Sequence, residues 1–174
     1  MYQACSPFEY AGTLLEKMKP RVFLTAAAEG KHNTMIIGWG AVSVIWNRPM
    51  MIVFVRDIRA TYGLIEKSGE FTVSVPLKTD LTEAIKICGT KSGRDIDKFA
   101  VCCLTPVPGR KVKAPIIGEC GLHYECKILY RQTLNQKDVP QAVKDRFYSN
   151  PANLANHTVY FAEILDSYLY EGDE

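Results

Sequence analysis

The sequence predicts a mainly β fold, an antiparallel β-barrel, closed or partly closed, that carries a few short helices. Three observations predict it. Several apolar runs have strand length and strand composition, and the segments with helical spacing are short and bounded by caps. No repeat, low-complexity tract or linker divides the 174 residues.

The elements follow in chain order. Arg21 to Ala27 is apolar and rich in strand formers, and Glu29-Gly30-Lys31 turns it back. Thr34 to Ile45 reads as one strand containing Gly38 and Gly40, where glycine marks a bulge or the close approach of a backbone or ligand. Met50 to Val55 is continuously apolar, as a strand buried on both faces would be. Asp57 can cap a helix running to about Lys67. Ile58, Tyr62 and Ile65 then share a face, and Gly69 supplies a left-handed end. Phe71 to Val75 alternates as a strand.

Asp80 and Glu83 have capping-box spacing for a helix whose face is Leu81, Ala84, Ile85 and Cys88, with Gly89 ending it. Pro106, Pro108, Gly109 and Pro115 make a loop. Leu122, Tyr124, Cys126 and Ile128 alternate with His123, Glu125 and Lys127, which predicts a strand with one wet face. Pro140 suits the first turn of a short helix through Tyr148, and His157 to Leu165 forms the last strand.

Composition narrows the class. The chain is 47% hydrophobic and 23% charged, a profile that excludes disorder, collagen and a disulfide miniprotein. A chain of this length buries roughly 70% of its unfolded surface. One domain over residues 1–174, with its core at about 21–166, is therefore expected. The net charge of +2 gives no electrostatic bias toward nucleic acid or a membrane surface. No run approaches the ~18 to 20 apolar residues of a membrane span, and Met1 to Pro20 lacks a secretory pattern, so a cytoplasmic protein is expected. The six cysteines, at 5, 88, 102, 103, 120 and 126, form no CxxC pair and read first as small buried hydrophobes.

Chemistry concentrates at two helix ends. Arg56-Asp57-Ile58-Arg59-Ala60-Thr61 joins a buried strand to a helix. Free N–H groups, two guanidinium groups and a hydroxyl there suit a phosphate, the alternative being two solvated arginines. Cys88-Gly89-Thr90-Lys91-Ser92-Gly93-Arg94-Asp95 holds two glycines, hydroxyls and cations, as an anion-binding turn would, but it lacks the phosphate-loop pattern of nucleotide triphosphatases. His32, His123 and His157 form no metal-ligand or triad motif, and no catalytic side chain or metal site is expected. A phosphate site beside glycine-notched strands, without a nucleophile, suggests a borrowed organic cofactor.

The run Asn33-Thr34-Met35-Ile36-Ile37-Gly38-Trp39-Gly40 through Arg48-Pro49 is followed by Val55-Arg56, Arg59-x-Thr61-Tyr62 and Ile65. Together they resemble the flavin reductase-like family, and within it the flavoredoxin branch. Gly69 to Pro76, Cys88 to Phe99 and His157 to Ile164 extend the resemblance over about Arg21 to Asp166. It departs at Gly38, where many relatives carry Ser or Thr, and at Arg48-Pro49, where they carry Pro-Pro.

The resemblance implies an FMN-binding split β-barrel, a noncovalent flavin and a homodimer with the flavin near the subunit interface. Asn33, Thr34, Met35, Ile36, Ile37, Gly38 and Trp39 would approach the isoalloxazine ring. Arg56, Arg59 and Thr61 would hold the phosphate end, with Cys88, Gly89, Ser92, Gly93 and Lys98 completing the pocket. It implies an oxidoreductase in which FMN passes electrons or hydride to an acceptor protein or small molecule. The alternatives are an NAD(P)H:flavin reductase, a flavin-binding module without turnover, and thiol redox through Cys102-Cys103 or Cys120/Cys126.

Overall fold

The computed structural model describes residues 1–19, 21–149 and 156–172; residues 20, 150–155 and 173–174 of the expected domain lie outside the described part. The chain begins with β1 (Tyr2–Ala4) and α1 (Ala11–Met18). Next come β2 (Val22–Ala28), β3 (Lys31–Ile37), β4 (Gly40–Ile45), β5 (Arg48–Arg56), α2 (Ala60–Ser68) and β6 (Glu70–Val75). Then follow α3 (Thr82–Thr90), α4 (Lys98–Val101), β7 (Pro106–Val107), β8 (Ile116–Ile117), β9 (Leu122–Thr133), α5 (Gln141–Phe147) and β10 (His157–Tyr170).

The main sheet is antiparallel in the order β3-β2-β6-β9-β10-β5-β4, with β1 added to β10; β7 and β8 pair separately. Its two outermost strands, β3 and β4, are neighbours in sequence. The chain therefore steps from one edge of the sheet to the other through Gly38-Trp39, which belong to neither ladder. The single strand expected over Thr34 to Ile45 is thus two strands on opposite edges. The physical reason is at Gly40: a Cβ there would lie 2.5 Å from the Ile52 carbonyl oxygen, so only glycine can enter the β5 ladder at that point.

Two cores result. Leu24, Met35, Val53, Phe71 and Tyr124 pack inside the curled sheet with Leu14 and Met18 of α1, a helix with no counterpart in the sequence reading. Phe23, on the opposite face of β2 from Leu24, packs outside it with Ala84, Cys88, Phe99 and Cys120. α2 has Arg59 at its N-cap rather than Asp57, with no side-chain cap bond. Its end is as expected, with Gly69 at φ +68° and its N–H donating to the Ile65 oxygen at 2.8 Å. α3 runs through Thr90 instead of ending at Gly89, with the Lys91 N–H donating to the Ile87 oxygen at 2.9 Å.

The wet face expected of β9 at 122–128 is a correction. Lys127 is exposed, but His123 and Glu125 are fully buried, because the 106–117 loop covers that face. The loop makes both polar groups necessary. Glu125 accepts the N–H groups of Arg110, Lys111 and Val112 at 2.8, 2.6 and 3.0 Å, and the Tyr168 hydroxyl at 2.6 Å. The loop has almost no ladder of its own, so a buried carboxylate satisfies its backbone donors. His123 sits between the Ser74 hydroxyl at 3.0 Å and the Cys120 oxygen at 2.8 Å. Burial pushes its pKa down to about 4, so the ring is neutral at pH 7.

Candidate flavin site

The step from β3 to β4 leaves a cleft of about 340 Å³ at the seam of the sheet, within the size range of small-ligand pockets. Six stretches of the chain wall it. Met35, Ile36 and Ile37 come from β3, and Gly38 and Trp39 from the link. Phe54 and Arg56 end β5, and Arg59 precedes α2. Arg21, Gly89, Phe147 and His157 complete the lining. Three arginines and no carboxylate line it. The other walls are aliphatic and aromatic.

The aromatic wall is built around Trp39, whose ring lies 4.8 Å from His157 and 5.1 Å from Phe147, centroid to centroid. His157 shares hydrogen at Nδ1 with the Tyr148 hydroxyl, 2.9 Å away. Burial, and secondarily the Arg56 charge, push its pKa down to about 4, so it faces the cleft as a neutral imidazole. Arg56 donates to the Phe147 oxygen at 3.0 Å, which ties the end of β5 to α5.

Arg59 is held more firmly. It donates to the Gly89 and Cys88 carbonyls at 3.0 and 3.2 Å, oxygens of the last turn of α3, where the helix dipole favours a cation. Burial and then the neighbouring Arg56 lower its pKa, and a bound anion would offset the repulsion between the two arginines. Lys98 Nζ, almost fully buried, donates to the same Cys88 oxygen at 2.8 Å and to the Thr34 oxygen at 2.9 Å. Burial, then Arg59, push it down to about 8. The Cys88–Gly89 end of this segment therefore presents carbonyls to cations, not N–H groups to an anion.

The other expected site residues divide. Thr61 is fully buried and accepts from Asn33 Nδ2 at 2.8 Å, so both fix α2 against β3. Gly93 exists to make room for Asn33, because a Cβ there would lie 2.2 Å from Asn33 Oδ1. Asn33, Gly93 and Lys98 line a second cleft of about 670 Å³ that reaches the start of α2 at Ala60. Ser92, half-buried, accepts from the Arg94 N–H at 3.1 Å. Thr34 and Cys88 are buried beneath the two clefts, in neither lining.

Arg21, Phe54, Phe147 and His157 were not among the expected site residues. Arg21 has φ +124° and lies across Gly38, where a Cβ would come within 2.1 Å of its Nη1. Its only sequence signal is a position at the start of a strand. The pair Phe147 and His157 is brought to Trp39 by α5 and β10, far along the chain.

A family model described as a flavin reductase like domain matches residues 17–174. The chain belongs to the flavin reductase-like family. A flavoredoxin of Desulfovibrio vulgaris (Miyazaki F) is similar, at TM-score 0.64 and 27% identity over 88% of this chain and 69% of that one. A flavoredoxin of Methanosarcina acetivorans gives TM-score 0.65 and 27% identity over 90% and 69%. An uncharacterized protein of Archaeoglobus fulgidus is 33% identical over 117 residues, 67% of this chain and 65% of that protein. The match thus spans less than two-thirds of that relative's own length. An FMN-binding domain of a flavin reductases-like enzyme from Shewanella baltica, 19% identical with TM-score 0.68 over 97% of this chain and 77% of that one, shares the fold.

The flavin reductase-like chain thus has the split-barrel architecture, with the split at Gly38-Trp39 and the cleft beside it. Among the described residues no three His, Cys, Asp or Glu side chains gather as a metal site, and no helix is long and apolar enough to cross a membrane.

Proposed function

We propose that the seam cleft binds FMN noncovalently and that this flavin reductase-like domain is a flavoredoxin-like oxidoreductase of the cytoplasm. The observation that carries this reading is the cleft's lining: three arginines without a carboxylate beside an aromatic wall, which matches a flat conjugated ring carrying a phosphate.

Arg56 and Arg59 would hold the phosphate, with the amino end of α2 behind them. Trp39, Ile36, Phe54 and His157 would bracket the ring, and Phe147 would shield it from water. Gly38 and Trp39 lie outside both ladders, so their N–H groups are free to meet the ring's polar edge. Asn33, Thr61 and Lys98 act from beneath by fixing α2, β3 and α3 to one another. FMN supplies the two-electron chemistry, and the protein's part is binding, orientation and tuning.

The acceptor is a protein partner or a small molecule, and the working form is a homodimer. The flavoredoxin neighbours support a carrier over a reductase that consumes NAD(P)H itself. The test is the visible spectrum of FMN-reconstituted, desalted protein before and after anaerobic NADH. Retained flavin bands with slow bleaching fit the carrier. Bleaching within seconds would replace it with an NAD(P)H:flavin reductase, and a colourless protein would reject flavin binding.

A further inference from the structure

Beneath the cleft, Cys88 and Cys102 bring their Sγ atoms to 3.9 Å. No second pair of thiols among the described residues comes within hydrogen-bonding distance, although all six cysteines are free. The other thiol pairings read from the sequence do not have this geometry: Cys126 lies in the core inside the sheet and Cys120 in the core outside it.

The contact is held from both sides. Cys88 stands in the last turn of α3, with its carbonyl fixed by Arg59 and Lys98. Cys102 directly follows α4, which Asp97 caps through the Phe99 and Ala100 N–H groups and which Phe99 packs into the same core as Cys88. The two differ in access. Cys88 is fully buried, whereas Cys102 is half-buried beside the exposed Cys103.

We propose that Cys88 and Cys102 form a dithiol–disulfide redox site whose reaction partner is a low-molecular-weight disulfide. Cys102, the reachable member, attacks as its thiolate and forms a mixed disulfide, releasing one small thiolate. Cys88 then loses its proton and attacks the Cys102 sulfur, releasing the second. One S–S bond forms in the protein and one is broken in the partner. The two cysteines give up two electrons, and their two protons end on the two small thiols. Closure moves the sulfurs together by roughly 2 Å, from contact to bond length. Burial, which pushes the Cys88 thiol up to about 12, agrees with its acting second. The bond would tie α3 to α4 across the 91–97 segment that carries Ser92 and Gly93.

This inference needs no flavin, so its failure and that of the flavin reading are separate. Reduced, desalted full-length protein is incubated with glutathione disulfide, then denatured for thiol counting, intact mass and tryptic mapping. The expected result is a fall from six thiols to four, a mass lower by two hydrogens, and a peptide pair joined through Cys88 and Cys102. Cys103→Ser retains the link and Cys102→Ser abolishes it. If Cys102→Ser does not fold, mapping of the wild type and Cys103→Ser decides. An unchanged thiol count, a lasting glutathione adduct on Cys102 or Cys103, or a Cys102–Cys103 link overturns the proposal.

Discussion

Arg56 and Arg59 face one cleft but are built into the fold differently, so replacing each by alanine separates binding from stability. Arg56 gives the protein one hydrogen bond, to the Phe147 oxygen. Its loss costs about 0.5 to 1.5 kcal/mol of stability. Arg59 gives two bonds to the carbonyl end of α3, and its charge opposes that helix dipole. Two charge-assisted bonds to a partly buried helix end put its loss at roughly 2 to 4 kcal/mol. Toward FMN each arginine is worth about 1.5 to 3 kcal/mol, the range for a hydrogen bond to a charged group. That is roughly a 10- to 150-fold rise in Kd. The assays are quenching of FMN fluorescence on titration and urea unfolding of the apoprotein at pH 7. Arg56→Ala should lose affinity with stability nearly kept, and Arg59→Ala should lose both. Unchanged affinity in folded Arg56→Ala removes the phosphate from this end of the cleft, and equal stability losses refute the capping role of Arg59.

Other perturbations read different parts of the structure. Gly40→Ala drives a Cβ to 2.5 Å from a backbone oxygen, and urea unfolding should show a loss of about 1 to 3 kcal/mol. Gly38→Ala displaces only the flexible end of Arg21, so stability should stay within ~0.5 kcal/mol while FMN affinity shifts. Glu125→Gln exchanges one accepting oxygen for a donor among four donors, and denaturation should show a loss of about 2 to 4 kcal/mol; a change below ~1 would mean the loop does not depend on it. His123 is neutral when folded but takes a proton below pH 6.5 when unfolded. Its stabilisation is complete above pH 6.5 and is lost as pH falls toward 4. From 6.5 to about 4, at ~1.4 kcal/mol per unit, this is worth roughly 3 kcal/mol. His157 acts in the same direction. Stability that stays flat from pH 7 to 5 in urea melts would contradict both.

Much of the fold was legible because hydrophobic runs report strands directly. Within the expected stretches, Val22 to Ala27, Met50 to Val55, Phe71 to Val75 and His157 to Leu165 fall in strands, with Arg21 just outside the first, and Gly69 ends its helix as its residue type predicts. What stayed hidden depended on partners distant in sequence. Polar alternation on β9 resembles a solvated face, yet His123 and Glu125 are buried because a loop from elsewhere needs their hydrogen bonds. Gly38 and Gly40 mark the break locally as a bulge or close approach, but β3 and β4 both read as strand, and only the pairing order assigns them to opposite edges.

The site divides the same way. Arg56 and Arg59 are close in sequence at a strand-to-helix junction, so their placement together on one cleft could be read. Phe54 shares β5 with Arg56, whereas Arg21, Phe147 and His157 reach the cleft from three other parts of the chain. Thr61 and Lys98 carry polar groups that suit a ligand, but the structure turns them inward, to Asn33 and to the Thr34 and Cys88 carbonyls.

The central claim is that the seam cleft is the flavin site, and a crystal structure of the FMN-reconstituted protein tests it most directly. The account predicts the phosphate within hydrogen-bonding distance of Arg56 and Arg59 and the ring against Trp39. A flavin seated instead in the cleft of Lys31, Asn33 and Arg94, or clear of both arginines, would contradict it.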